Sequence, residues 1–219
     1  MTKITTCIFD AYGTLFDVNA AARSLAGSAG RADFAAVWAQ VSADWRQKQL
    51  QYTWLRAITG DHCDFWQVTQ DGLDWALERA GIDDDDLRTA LLGLYWTLAP
   101  YPEAPQILRA IKAAGLNSAI LSNGNPAMLD AAVTSAGLGD VLDAVISVED
   151  VGVFKPDARV YDLVGARFGC TPDQVLFVSA NGWDAGSAAA YGFHTLWINR
   201  AGDPVDRLPG RPESVARDL

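Results

Sequence analysis

The sequence is poor in the residues from which covalently stapled or metal-held scaffolds are built. It has 3 cysteines and 2 histidines in 219 residues. Cys7, Cys63 and Cys170 are scattered, odd in number and without ligand spacing. That argues against a disulfide framework or a zinc site and fits a reducing compartment. Cys7 lies in an apolar run and reads as a buried small side chain. Cations are also scarce: 17 Lys and Arg against 27 Asp and Glu give a formal net charge of -10. Such a chain repels nucleic-acid phosphates and anionic membrane surfaces, so neither is an expected partner. An anionic small molecule stays open, because local charge at a site can oppose the global sign. No apolar run approaches the roughly 20 residues that span a bilayer. No basic region with an apolar leader precedes the first strand-like run, so a cytoplasmic location is expected.

What is present is the composition of a compact domain: 50% apolar and 20% charged residues. The length suits one domain, or a core with a small insert. Ile4 to Phe9 reads as a strand that ends at Asp10, and Ala11-Tyr12-Gly13-Thr14 reads as a turn. From about Ala20 to Leu98 the pattern is helical. Phe34, Val37, Trp38, Val41 and Trp45 follow a 3.6-residue period, and further helices are expected over 64–80 and 85–98. The run Asp83 to Asp86 reads as a solvated helix start, where carboxylates favour the dipole. From Tyr101 strands and helices alternate. Strands are expected at Leu116–Leu121, Ala144–Val148, Val175–Val178 and Thr195–Ile198, the last of them, with helices through Lys112, through Ala136, over 157–168 and over 184–191. The tail after Asn199, rich in Pro, Gly and charge, is expected to wrap the surface.

This predicts an α/β fold: a Rossmann-like, mainly parallel sheet core with an inserted all-helical cap subdomain. The expected core is 1–16 and 99–219, and the expected cap is 17–98. Ligands of open α/β sheets bind beyond the carboxyl ends of the strands. Asp10, Ser122-Asn123 and Ser179 to Asp184 each follow a predicted strand, and Lys155 follows one by a loop. Unconnected polar clusters therefore converge on one rim, with the cap beginning beside the first. Arg46, Leu50 and Trp54 share a helix face distinct from the Trp38, Val41, Trp45 stripe. His62 and His194 have no motif around them and read as structural.

The segment Phe9-Asp10-Ala11-Tyr12-Gly13-Thr14-Leu15 resembles the first motif of the haloacid dehalogenase superfamily. Leu121-Ser122-Asn123-Gly124 resembles the second, Val153-Phe154-Lys155-Pro156-Asp157 the third, and Phe177 to Asp184 the fourth. The resemblance covers essentially the whole chain. Superfamily phosphatases carry an aspartate two residues after the nucleophile and Gly-Asp in the fourth motif. Here those positions hold Tyr12 and Ser179-Ala180. Alanine ligates nothing, and Mg²⁺ wants hard oxygen ligands. The departures match the L-2-haloacid dehalogenases, as do Trp45 to Leu50, Tyr52-Thr53-Trp54, Arg159-Val160-Tyr161, Asn181 and Trp183-Asp184.

The resemblance implies a hydrolase without metal or cofactor that acts on small 2-haloacids and releases halide. Asp10 is the implied nucleophile, with Thr14 in contact with it and Lys155 offsetting charge. Ser122 and the backbone near Ala11, Tyr12 and Asn123 take the substrate carboxylate. Arg46 and Asn123 face the halogen, under apolar cover from Leu50, Phe65 and Trp183. Asn181 and Asp184 activate water, and Ser179 and Tyr161 hold that network. A homodimer is expected from the same likeness. Two other readings stay open: a phosphatase with an altered metal site, and an inactive anion-binding homologue.

Overall fold

A computed structural model describes residues 3–28 and 32–219. Its centre is a six-stranded parallel sheet of β1 (Thr6–Phe9), β2 (Asn117–Ser122), β3 (Ala144–Ser147), β4 (Val175–Ser179), β5 (His194–Ile198) and β6 (Ser214–Ala216), in the order β3-β2-β1-β4-β5-β6. Every β1 residue is buried. That is why the segment reads as a continuous apolar run and not as an alternation. The chain builds outward from β1 to β3, then returns to the other side of β1 for β4. The sheet therefore has its topological switch at β1, where Phe9 stands beside Ile120 of β2 and Val178 of β4.

One expectation is corrected. Thr195–Ile198 is not the last strand, because Ser214–Ala216 pairs in parallel with β5. This β6 lies on the sheet edge and is mostly exposed. It has no buried face to impress an apolar pattern on its sequence.

The stretch expected as the cap folds as four helices, α1 (Ala20–Ala26), α2 (Ala32–Thr59), α3 (Phe65–Arg79) and α4 (Asp85–Tyr95). The 28 residues of α2 reach about 42 Å at ~1.5 Å per residue. The Val41 and Trp45 stripe is buried against the cap interior, where Trp45 Nε1 donates to the Thr69 carbonyl at 2.8 Å. Gln49 Nε2 donates to Thr69 Oγ1 at 3.0 Å and to Tyr95 Oη at 3.1 Å, so one buried amide joins three helices. The acidic run does begin a helix: Asp84 caps α4 by accepting from the Leu87 N–H at 2.8 Å.

The remaining helices are α5 (Ala104–Ala113), α6 (Pro126–Ser135), α7 (Ala158–Phe168) and α8 (Gly182–Tyr191). The chain crosses from core to cap and back along neighbouring paths: the Asp17 N–H donates to the Ala99 carbonyl and the Tyr101 N–H to the Leu15 carbonyl. On the cap's other side His62 Nε2 and Glu149 Oε2 lie 3.0 Å apart, and the His62 ring packs on Phe154. His194 instead pairs with Glu213, at 2.8 Å, near the sheet edge. No helix among the described residues is long and apolar enough to cross a membrane.

Candidate active site

Asp10 follows β1 directly, its N–H held by the Val178 carbonyl at 2.9 Å. The chain then turns sharply, with Leu15 and Phe16 N–H groups returning to the Ala11 carbonyl. Gly13 takes φ +88°, a backbone state that a side chain disfavours. This turn brings Thr14 back over the carboxylate, where its Oγ1 donates to Asp10 Oδ2 at 3.0 Å. Thr14 Oγ1 also accepts from the Ala180 N–H at 2.8 Å, so the first and fourth motifs are tied at one hydroxyl.

Lys155 supplies the opposing charge. Its side chain is 1% exposed, and Nζ donates to Asp10 Oδ1 at 3.2 Å and to Asp184 Oδ2 at 2.8 Å. Burial alone pushes the ammonium down, but Asp184 and Asp10 outweigh it and raise its pKa. Asp184 is fully buried at the start of α8. Burial raises its pKa too, against the pull of Lys155. Tyr161 Oη donates to Asp184 Oδ1 at 2.9 Å and Ser179 Oγ to Asp184 Oδ2 at 3.2 Å. Tyr161 is 1% exposed, so this hydroxyl works deep in the core. Burial first, then the Asp184 charge, push its pKa well above the ordinary tyrosine value.

On the cap side Asn181 Nδ2 donates to Asp10 Oδ2 at 2.8 Å, while Asn181 Oδ1 accepts from Arg46 Nη2 at 3.1 Å. One amide thus links the Asp10 carboxylate to the cap cation. Trp54, two turns beyond Arg46 on α2, meets the edge of Trp183. Phe65 stacks on Tyr12 with ring centres 5.6 Å apart. Leu50 is half-buried on α2 and no described contact carries it to the Asp10 cluster.

Ser122 and Asn123 close the other flank. Ser122 Oγ accepts from the Gly124 N–H at 3.1 Å, which leaves the hydroxyl proton free to donate. The Asn123 side chain is partly committed: its Oδ1 accepts from the Lys155 N–H at 2.9 Å and anchors the loop that carries the lysine. The N–H groups of Ala11, Tyr12 and Asn123 have no acceptor among the described residues. They lie on the loops after β1 and β2, where an anion can take them up.

Gly124 is closely packed by side chains. A Cβ there would lie 2.9 Å from Tyr12 Cε2 and 3.0 Å from Leu129 Cδ2. Gly124→Ala is expected to cost about 1–3 kcal/mol in urea unfolding, as overpacking does. An unchanged midpoint would mean that the Tyr12 ring yields freely.

Further aromatic side chains complete the site, Tyr95 among them from outside the motifs. Tyr95 of α4 packs 5.4 Å from Tyr12, and Phe154 packs against Phe65. Tyr95 carried a faint signal, since it continues the Leu87, Leu91 spacing of a buried face. A cavity of about 810 Å³ opens beside the cluster, lined by Tyr12, Arg46, Asn181 and Trp183 and by the tail around Asn199 to Arg207. Asp10 itself is 7% exposed.

A family model for haloacid dehalogenase-like hydrolases matches residues 4–192. The chain belongs to the haloacid dehalogenase-like hydrolases. Among members of this family it is 45% identical to (S)-2-haloacid dehalogenase 1 of Pseudomonas sp. (strain CBS-3), over 94% of this chain and 89% of that one. A solved structure described as a dehalogenase superposes with a TM-score of 0.94 at 39% identity, covering 100% of this chain and 95% of the other. The L-2-haloacid dehalogenase of Xanthobacter autotrophicus with chloropropionic acid covalently bound gives 0.85 at 38% identity, covering 98% and 95%.

The Mg²⁺ of the family's phosphatases does not fit this donor set. Asp10 and Asp184, joined by Lys155, have no third carboxylate, His or Cys grouped with them to hold a metal ion among the described residues. At the two positions where phosphatases bring further carboxylates stand a buried tyrosine, Tyr12, and Ala180. A hard cation needs several oxygen ligands in octahedral array.

Cys7 is 3% exposed, and burial pushes its thiol up to about 11, so it is no thiolate at neutral pH.

Proposed function

We propose that this chain hydrolyses short L-2-haloalkanoic acids to D-2-hydroxy acids through an ester on Asp10, without a metal. The observation that carries the reading is that buried Tyr12 and Ala180 stand where the family's phosphatases bring carboxylates, beside an Asp10 held by Thr14, Lys155 and Asn181. The kinship with (S)-2-haloacid dehalogenases supports it. So does the relative that carries chloropropionic acid covalently.

A carboxylate is a nucleophile at neutral pH without a base to activate it. The substrate carboxylate binds at Ser122 and the free N–H groups of Ala11, Tyr12 and Asn123. Asp10 attacks C2 on the face opposite the halogen. The C–O bond forms as the carbon–halogen bond breaks, and halide leaves with the bonding electrons toward Arg46. No proton is needed by this leaving group, so the absence of a carboxylic acid at Tyr12 costs nothing. Water then attacks the carboxyl carbon of Asp10, its proton passing to the Asp184 network while Lys155 offsets the oxyanion charge; the bond from that carbon to the oxygen on C2 breaks, and the departing alkoxide takes the proton and leaves as the 2-hydroxy acid. Displacement inverts C2 once and hydrolysis leaves it alone, hence the D product. The cap excludes water, which strengthens each fixed charge around Asp10. Leu50 enters this reading only as apolar cover at the cap edge. Leu55 and Ile58, 50% and 82% exposed on α2, give an apolar surface that a homodimer would cover.

The test is chloride release from L- and D-2-chloropropionate with and without EDTA. Release from the L form alone, unchanged by EDTA, is expected. Silence with both isomers, together with Mg²⁺-dependent phosphate release from an ester, would make the chain a phosphatase.

A further inference from the structure

Arg200 follows β5 and belongs to none of the motifs. Its side chain reaches back to the place where the chain passes between core and cap. Nη2 donates to the Thr14 carbonyl at 3.2 Å and Nη1 to Glu103 Oε1 at 2.8 Å. The guanidinium carbon sits 3.6 Å from the centre of the Tyr101 ring. Thr14 stands just before the outward crossing, and Tyr101 and Glu103 just after the return. The crossings are themselves joined by the Asp17–Ala99 and Tyr101–Leu15 backbone bonds and by the antiparallel bridge of Phe16 with Pro100.

We infer that Arg200 is a positioning residue for Asp10 that acts through Thr14. The inference rests on Asp10 being the nucleophile. A guanidinium is planar, so it stacks on Tyr101 by its face while its edge donates to Thr14 and Glu103; an ammonium cannot do both. Burial pushes the Glu103 carboxyl up, but backbone hydrogen bonds and Arg200 outweigh it, and the group stays ionised at neutral pH. The carbonyl held by Arg200 belongs to the same residue whose hydroxyl donates to Asp10 Oδ2 and accepts from the Ala180 N–H. Fixing the Thr14 backbone therefore fixes the angle at which the carboxylate is presented. It also ties that angle to the seating of the cap, since the same guanidinium grips the return crossing.

The experiment compares Arg200→Met, Arg200→Lys, Thr14→Val and the Arg200→Met/Thr14→Val pair. Arg200→Met is expected to lower kcat for L-2-chloropropionate about 10- to 100-fold, the effect of an ångström-scale misplacement, with KM moving less than about threefold. Arg200→Lys regains part of the loss. Because the effect runs through Thr14, the double variant is no slower than Thr14→Val alone. Multiplying effects, or wild-type kcat in Arg200→Met, would overturn the inference. A crystal structure of Arg200→Met provides a readout that does not depend on turnover: the Thr14 hydroxyl is expected to leave hydrogen-bond reach of Asp10, and unchanged geometry would overturn the inference as well. Wild-type chloride release separates the two proposals. An inactive wild type with a displaced Thr14 in the variant would sink the dehalogenase reading and leave the positioning role standing.

Discussion

Asp10→Ala is expected to stop ester formation and to lower chloride release from L-2-chloropropionate by about 10⁴-fold or more, as loss of a covalent nucleophile does. The variant should nevertheless fold. Lys155 donates to two carboxylates, and removing Asp10 leaves the ammonium paired with Asp184 at 2.8 Å. Loss of rate without loss of cooperative unfolding separates a chemical role from a structural one. Substantial chloride release by the folded variant would show that water attacks C2 directly, with Asp10 serving only to hold charge.

Lys155→Met is expected to act on both stability and rate. It leaves the buried Asp10 and Asp184 carboxylates facing each other with no cation between them. Breaking a buried pair by removing one partner costs about 3–5 kcal/mol, well above the ~1 kcal/mol typical of a point variant. The rate should fall about 10³-fold, as expected for removal of a donor aimed at developing charge. The pH dependence has a definite sign. The lysine pKa is raised in the folded protein. Its stabilisation is therefore fully present below the ordinary lysine value of about 10.4 and is lost as pH climbs through the higher folded value. The stability difference between wild type and Lys155→Met should accordingly stay level from neutral pH to about pH 10 and shrink only beyond it. Urea midpoints across that range check this. A decline beginning near neutrality would mean that a different group controls the site.

The sheet and the rim of functional groups were legible because they depend on local pattern. Asp10, Ser122 and Ser179 each close an apolar run, and adjacent strands β2-β1-β4 then set their loops side by side. Arg46 was legible for a related reason: it shares a helix face with Trp54, which meets Trp183. Its partner Asn181 lies 135 residues away and came only through the fourth motif. Arg200 left no such trace. It contacts Thr14 across 186 residues, from a tail that has no periodic pattern. Edge strand β6 was missed because its partners are backbone groups of β5, and backbone pairing writes nothing into the side chains. The commitment of Asn123 to the Lys155 loop was likewise hidden, since the second motif names the amide without saying which way its oxygen points.

A single turnover in ¹⁸O-labelled water, with enzyme in excess over L-2-chloropropionate, tests the central claim most directly. The lactate released should carry no label beyond its natural abundance, and mass spectrometry should find the new oxygen in the peptide that contains Asp10. Label in the lactate hydroxyl after that single turnover, with Asp10 unlabelled, would contradict a covalent ester and with it the mechanism proposed for this site.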